Sequence, residues 1–157
     1  MAEVISFRAV LRDPAPPSIN HLYFNGPHGR VLTKEGRAFK DAMKDAVAQA
    51  IIKLNWATAT DEVYGARGYV VLVIRMYRDQ LYNGSWKPHS TTNAGNPRSP
   101  YQRVDATNYA KVIEDAVVLG TGIDDSAHLE VTISKGHDPT DPRVEVDYYV
   151  YSRPEGG

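Results

Sequence analysis

Three aspartates and one lysine in the middle of the chain could together hold a metal ion against a phosphate. Asp105, Lys111 and the pair Asp124–Asp125 follow one another within a short stretch. Magnesium takes oxygen ligands, commonly one or two carboxylates, and leaves its other positions to water and substrate phosphate. Such a metal polarises a phosphoryl oxygen and lowers the pKa of an attacking water. The residue types therefore suit a divalent cation held against a phosphate, which is an arrangement that phosphodiester hydrolysis needs.

The ligand preferences of magnesium give each residue a predicted role. Asp105 and Asp125 are the predicted metal ligands, Asp124 or Asp115 is a possible supplement, and Lys111 is the cation that neutralises phosphate charge in the transition state. A structural interpretation is also open. The first aspartate would then cap a helix, the lysine and Asp115 would form a surface pair, and the acidic pair would mark a turn. Spacing alone favours the structural interpretation.

A helix is predicted from about residue 107 to residue 118, and it would present these groups on one side. The apolar residues that share its inner side are Tyr109, Val112, Ile113, Ala116 and Val117. The polar residues on its outer side are Thr107, Asn108, Lys111, Glu114 and Asp115, since positions three and four apart share a helix face. Asp105 would precede the first turn, where free N–H groups favour an anion.

The remaining pattern predicts an α+β fold with a small mixed sheet and two main helices packed on one face. Strands are expected at 3–11, 69–77, 128–134 and 143–152, with 69–77 central and the last two forming an antiparallel pair. A helix is expected from the N-cap Thr33 to about residue 54. Residues 56–68 read as a polar connection, and about 79–100 as a polar insertion loop. All 157 residues are expected to form one domain.

Composition restricts the class of protein but not its partner. The chain is 42% hydrophobic and 24% charged, carries a net charge of −1 and has no cysteine. It therefore has neither disulfides nor thiolate-bound zinc, and its scattered histidines form no zinc cluster. It has no apolar run long enough for a membrane span. Its first residues lack a basic and an apolar region, so no signal peptide and a cytoplasmic location are expected. Any nucleic-acid surface must come from local clustering of basic residues.

Four motifs in order resemble one known family. They are Pro16-Pro-Ser-Ile-Asn-His-Leu-Tyr23, Leu32-Thr-Lys-Glu-Gly-Arg-Ala-Phe-Lys40, Asp105-Ala-Thr-Asn-Tyr-Ala-Lys111 and Asp124-Asp125. Together they resemble the RusA family of Holliday junction resolvases, which phages and prophages often carry. The resemblance covers most of the chain except the insertion at about 79–100. It implies a homodimeric, magnesium-dependent endonuclease, with manganese as an alternative metal, that cuts four-way DNA junctions by paired symmetric nicks in recombination and repair inside a bacterial host.

The resemblance also carries catalytic roles onto single positions. The first aspartate of the family's Asp-x-Asp-Asn motif falls on Asp105, its lysine on Lys111 and its last aspartate on Asp125, but the second aspartate falls on Thr107. Because threonine is a neutral, weaker ligand, three outcomes are open. Thr107 holds a metal-bound water while Asp124 or Asp115 supplies the carboxylate, which we favour. Alternatively the enzyme is slower or prefers manganese, or the chain is a module that binds junctions without cutting them.

A basic stripe on the first long helix is the predicted DNA surface. It comprises Arg37, Lys40 and Lys44, with Arg30, Lys34, Lys87, Arg98 and Arg103 as further contacts. Cations of this kind bind phosphates without reading sequence, although a solvated helix face is the alternative. Asn20, Tyr23 and Asn108 are additional DNA-binding candidates, with packing as an equal alternative for Tyr23. A small adaptor protein that acts through its insertion loop is the remaining hypothesis.

Overall fold

The computed structural model describes residues 2–102 and 106–153, apart from the side chains of residues 19 and 20. The strands are Ala2–Leu11 (β1), Tyr23–Gly26 (β2), Gly29–Leu32 (β3), Tyr69–Arg78 (β4), His128–His137 (β5) and Arg143–Ser152 (β6). The helices are Ile19–Leu22 (α1), Lys34–Ile51 (α2), Trp56–Gly65 (α3) and Ala106–Thr121 (α4). The predicted strands and long helices are all present, and β2 and β3 add a hairpin that the sequence analysis did not predict.

The main sheet is mixed, as predicted, with the strand order β1-β6-β4-β5. Strand β4 is internal and runs parallel to β5, while β6 is antiparallel to both β1 and β4. The predicted antiparallel pairing of the last two strands is therefore wrong. Two parallel neighbours need a long crossover, and α4 supplies it between β4 and β5. Strand β6 then occupies the position between β1 and β4.

The helices enclose a core with one face of the sheet. Alternate residues of the inner strands are fully buried there, such as Leu72 and Ile74 of β4 and Val146 of β6. Helix α3 was predicted as a polar connection, and this prediction is wrong. Its buried residues Ala59 and Val63 are four apart and lie on one helix face, which is enough to attach a short helix to the core. No helix in the described part of the chain is long and apolar enough to cross a membrane.

Two contacts explain where α2 lies. Its N-cap is Thr33, as predicted, whose hydroxyl accepts a hydrogen bond from the Gly36 N–H at 2.9 Å. Farther along, α2 packs closely against α4 at Gly120. A Cβ atom at Gly120 would lie 2.8 Å from Val47 Cγ1 and 3.0 Å from the Lys44 carbonyl oxygen. The glycine therefore permits the close approach that brings the basic side of α2 beside the polar side of α4.

The other face of the sheet carries a charged cluster around a buried carboxylate. Asp147 of β6 is 4% exposed and accepts hydrogen bonds from Arg8 at 2.7 Å and from Arg75 at 2.5 Å. Burial would raise the pKa of Asp147, but the hydrogen bonds and charges of the two arginines outweigh it and hold the pKa below its usual value. The cluster thereby joins β1, β6 and β4.

We expect Asp147→Asn to lower the free energy of unfolding by about 2 kcal/mol at pH 7, because charge-assisted hydrogen bonds are lost. The lowered pKa fixes the sign of the pH dependence. The stabilisation by Asp147 is fully present above the pKa of about 3.9 that its carboxyl has in the unfolded chain. It is lost as the pH falls through the lower pKa that the carboxyl has in the folded protein. Urea unfolding of both proteins at several pH values measures this difference. A difference that stayed constant down to pH 2 would contradict the assignment.

The predicted insertion is an ordered hairpin-like finger, residues 79–102. Backbone hydrogen bonds join its two arms at the base, from the Asn83 N–H to the Pro100 carbonyl at 2.8 Å and from the Gln102 N–H to the Leu81 carbonyl at 2.7 Å. Nearer the tip, the Trp86 indole donates to the Arg98 carbonyl at 2.7 Å. The insertion therefore projects as one arm from the end of β4.

Candidate active site

The outer side of α4 brings a lysine between two carboxylates. The Lys111 ammonium lies 3.0 Å from Asp115 Oδ1 and 3.8 Å from Asp125 Oδ2. The hydrogen bond and charge of Asp115, followed by the charges of Asp125 and Glu114, raise the pKa of Lys111. The lysine is therefore held in its charged form. Thr107 is exposed one turn before it, so Thr107, Lys111 and Asp115 share one helix face over about 12 Å.

The two aspartates after α4 lie in different environments. Gly122, with φ of +74°, ends the helix, and its N–H donates to the Val118 carbonyl. Asp124 then caps the short 3-10 turn Asp125–Ala127 by accepting a hydrogen bond from the Ser126 N–H at 3.0 Å. The hydrogen bonds from Ser126 lower the pKa of Asp124. Asp125, whose side chain is 47% exposed, faces Lys111 instead.

Asp105 and Arg103 lie outside the described residues, so the first predicted ligand has no position here. Within residues 2–102 and 106–153, no group of three or more histidine or acidic side chains is arranged to hold a metal ion. Magnesium requires fewer, because one or two carboxylates with water and phosphate complete its shell. Asp115 and Asp125 meet at one ammonium, and both are hard oxygen donors. Their chemistry therefore fits magnesium or manganese.

One member of the predicted basic stripe lies beside the carboxylates. Lys40 of α2 shares a shallow concavity with Asp115, Asp124 and Asp125. Lys44 follows one turn later on the same helix, next to the close contact of α2 with Gly120. Arg37 is exposed, and its guanidinium donates to the Leu32 carbonyl at 3.0 Å. Lys40 of α2 and the carboxylates of α4 and the following loop thus line one surface.

The proline-led segment before α2 is attached to the beginning of α4. The Tyr109 hydroxyl donates to the Pro17 carbonyl at 2.6 Å, and the hydroxyl of Thr33 donates to the His21 carbonyl. Tyr23 lies under the guanidinium of Arg30, 4.4 Å from ring centre to Cζ. The tyrosine therefore packs against Arg30, and its predicted DNA contact stays a prediction. The side chain of Asn20 lies outside the described part.

Sequence reasoning missed the residues that hold the acidic loop. Four side chains form three hydrogen bonds at this loop or its flanks. The Trp56 indole donates to the Thr121 carbonyl at 2.7 Å, the Tyr64 hydroxyl accepts from the Asp124 N–H at 2.9 Å, and Glu114 and the buried His128 ring nitrogen form a 2.8 Å hydrogen bond. The apolar spacing of Trp56, Ala59 and Val63 was the available signal for the first two, since it predicts a helix there.

One known protein family matches most of this chain. The family model described as Endodeoxyribonuclease RusA matches residues 14–148. The match includes α2, α4 and the acidic loop, and it extends across the finger. A search of curated proteins found no match. Because the family model covers most of the chain, the chain belongs to the RusA endodeoxyribonuclease family.

Proposed function

We propose that this chain cuts four-way DNA junctions as a homodimer, by metal-assisted hydrolysis that places paired symmetric nicks. Family membership supplies the coarser function, a Holliday junction resolving endonuclease, and family nucleases depend on divalent metals in general. The observation that carries the finer proposal is the Lys111 ammonium between Asp115 and Asp125, with Lys40 alongside. Two symmetric cuts need two sites related by a twofold axis, which a homodimer provides.

Asp125 would hold the metal together with Asp105, and Asp115 would be the supplementary carboxylate. The metal, when bound, polarises the scissile phosphate and lowers the pKa of the attacking water. Lys111 is a cation at neutral pH, so it can neutralise the extra negative charge on the phosphate as the transition state forms. Lys40 contributes a second positive charge at the edge of the same surface.

Thr107 stands where the family has an aspartate, and the geometry supports one compensation. Asp115 lies on the face that Thr107 and Lys111 share, whereas the carboxylate of Asp124 caps a turn. We therefore favour Asp115 over Asp124 as the replacement carboxylate, with Thr107 as a ligand for a metal-bound water. The threonine also motivates a second candidate function, a junction-binding module that does not cut.

The DNA surface in this proposal extends from α2 to the finger. Arg37, Lys40 and Lys44 bind phosphates near the cleavage site, and Lys87 and Arg98 bind phosphates farther along the arm. From residue 80 to residue 102 the finger has no acidic residue, and its tyrosines at 82 and 101 are about half exposed. A positively charged arm with exposed rings suits the backbone and bases of branched DNA.

Lys40→Ala combined with Lys44→Ala is expected to weaken junction binding and to reduce the salt slope of log K by about 2, since each phosphate contact contributes about 0.9. Fluorescence anisotropy of a labelled junction across a range of salt concentrations measures the slope. Lys53→Ala is the control, because Lys53 is exposed beyond the end of α2. If the double variant kept the wild-type salt slope, the basic stripe would not be part of the DNA interface.

The test of the proposed function is cleavage of a labelled four-way junction and a matched linear duplex with magnesium, manganese or chelator. Paired symmetric nicks in the junction alone, lost with chelator, are the expected result. Tight junction binding without a metal-dependent product would support the binding module. Thr107→Asp would then be expected to create cleavage, because it restores the missing carboxylate.

A further inference from the structure

The hydroxyl of Tyr64 lies at the turn that presents Asp125. It accepts a hydrogen bond from the Asp124 N–H at 2.9 Å and donates a longer one to the Gly122 carbonyl at 3.5 Å. These two backbone groups flank Ile123, whose side chain is fully buried. A single hydroxyl therefore bridges the beginning and the end of the link between α4 and the 3-10 turn.

The side chain of Tyr64 contributes little to the hydrophobic core. The residue is 61% exposed, so its ring removes little apolar surface from water. Its neighbour in α3, Trp56, instead packs against Phe7 and Tyr148 and donates to the Thr121 carbonyl. Trp56 thus attaches α3 to the fold, while the hydroxyl of Tyr64 fixes the loop.

The other restraints on this loop are the buried side chain of Ile123 and two hydrogen bonds, from the Ile123 N–H to the Thr121 hydroxyl and from the Ala127 N–H to the Asp124 carbonyl. The Asp124 N–H itself donates to Tyr64. Asp124 caps the turn through its own side chain, and Asp125 begins that turn. The direction of the Asp125 carboxylate therefore depends on where the Asp124 backbone is held. A catalytic group that is misplaced by about 1 Å can cost on the order of 100-fold in rate.

We propose that Tyr64 is a positioning residue, whose hydroxyl fixes the Gly122–Asp124 backbone and thereby aims Asp125 at Lys111 and the metal. This inference rests on the proposed function, because it concerns the use of Asp125 in the cleavage site. The role belongs to the hydroxyl, so phenylalanine should lose it while it keeps the ring and the helix.

Tyr64→Phe tests the proposal, with Tyr149→Phe as the control for loss of a hydroxyl on the opposite face of the sheet. The first measurement is hydrogen exchange of the backbone amides of residues 122–127 in metal-free protein. We expect exchange there to accelerate about tenfold in Tyr64→Phe alone, with the midpoint of thermal unfolding unchanged. Unchanged exchange would overturn the proposal even if the wild-type protein cut no DNA.

The second measurement separates positioning from general damage. In Tyr64→Phe the cleavage rate at saturating junction should fall about tenfold, the junction concentration at half-maximal rate should stay the same, and the manganese concentration at half-maximal rate should rise severalfold. Equal losses of rate and junction affinity with a lower unfolding midpoint would show a structural role and overturn the proposal. Failure of the wild type to cut would count against the proposed function, while the exchange result would still decide the role of Tyr64.

Discussion

Asp125→Asn is expected to lower the rate of junction cleavage by about 1,000-fold, because it removes a charged ligand and weakens the electrostatic stabilisation of the transition state. Asparagine has the same shape, so the 3-10 turn and the stability of the protein should remain. Junction binding should be unchanged or tighter, since one negative charge near phosphate disappears. Single-turnover cleavage of a labelled junction at saturating protein measures the rate, and anisotropy measures the affinity.

The adjacent aspartate provides the matched control. Asp124→Asn also removes one negative charge, but asparagine is as good an N-cap as aspartate, so cleavage should stay within about threefold of the wild-type rate. Asp124→Ala, which also removes the cap, should be slower than Asp124→Asn. If Asp124→Asn were as inactive as Asp125→Asn, Asp124 would be a metal ligand and its cap a secondary role.

Replacing Lys111 by methionine is expected to reduce the cleavage rate by about 100-fold, because the charge that develops on the phosphate is no longer neutralised. The same change should tighten manganese binding, since Asp115 and Asp125 lose the ammonium that lies between them. Single-turnover cleavage and calorimetric titration with manganese measure the two effects. Slower cleavage combined with tighter metal binding is a signature that general destabilisation does not produce.

Lys111→Arg and Asp115→Asn help to interpret this result. Arginine keeps the charge on a planar group of different shape, so Lys111→Arg should recover part of the lost rate. Asp115→Asn should weaken manganese binding if Asp115 replaces the family aspartate that Thr107 lacks. If Lys111→Met cut junctions at the wild-type rate, the lysine would only form a surface ion pair with Asp115.

The central helix was predictable because its two sides differ so clearly. The buried residues of α4 recur at helical spacing, as Val112, Ile113 and Ala116 do, whereas Lys111 lies on the exposed side of the helix. Helix α3 was missed because its apolar stripe is narrow and its sequence contains Thr58, Thr60 and Asp61. Local polarity suggested a loop, whereas the core contact that stabilises the helix is tertiary.

Strand pairing was the part of the fold that sequence predicted least well. Consecutive strands usually lie next to each other, which favoured a hairpin of β5 and β6. The alternation in β6 suggested one exposed face, yet Glu145 and Asp147 are buried. Asp147 is neutralised by arginines of two other strands, Arg8 of β1 and Arg75 of β4, whereas Glu145 pairs with Arg143 two residues before it in β6. The partners that β1 and β4 supply to Asp147 are not visible in the local pattern of β6.

For the candidate site, the sequence indicated which charged residues lie together but not which residues hold them in place. The proximity of Lys111 and Asp125 was expected from the motif order, because α4 and the following loop lie close in the chain. Asp124 caps the turn and Asp125 faces Lys111. This difference depends on the geometry of the turn, and two residues of the same type do not reveal it. The contact from Tyr64 joins residues 60 positions apart, and no periodic pattern encodes it.

The place of β6 between β1 and β4 has a consequence for the order of events during synthesis. Arg8 and Asp147 are paired although they lie 139 positions apart, and β1 has its sheet partner in β6. Every candidate site residue leaves the ribosome before β6 does. Pairing over such a separation is a late and slow step. We infer that translation interrupted before residue 143 yields a chain that carries every candidate site residue but lacks the strand that joins β1 to β4.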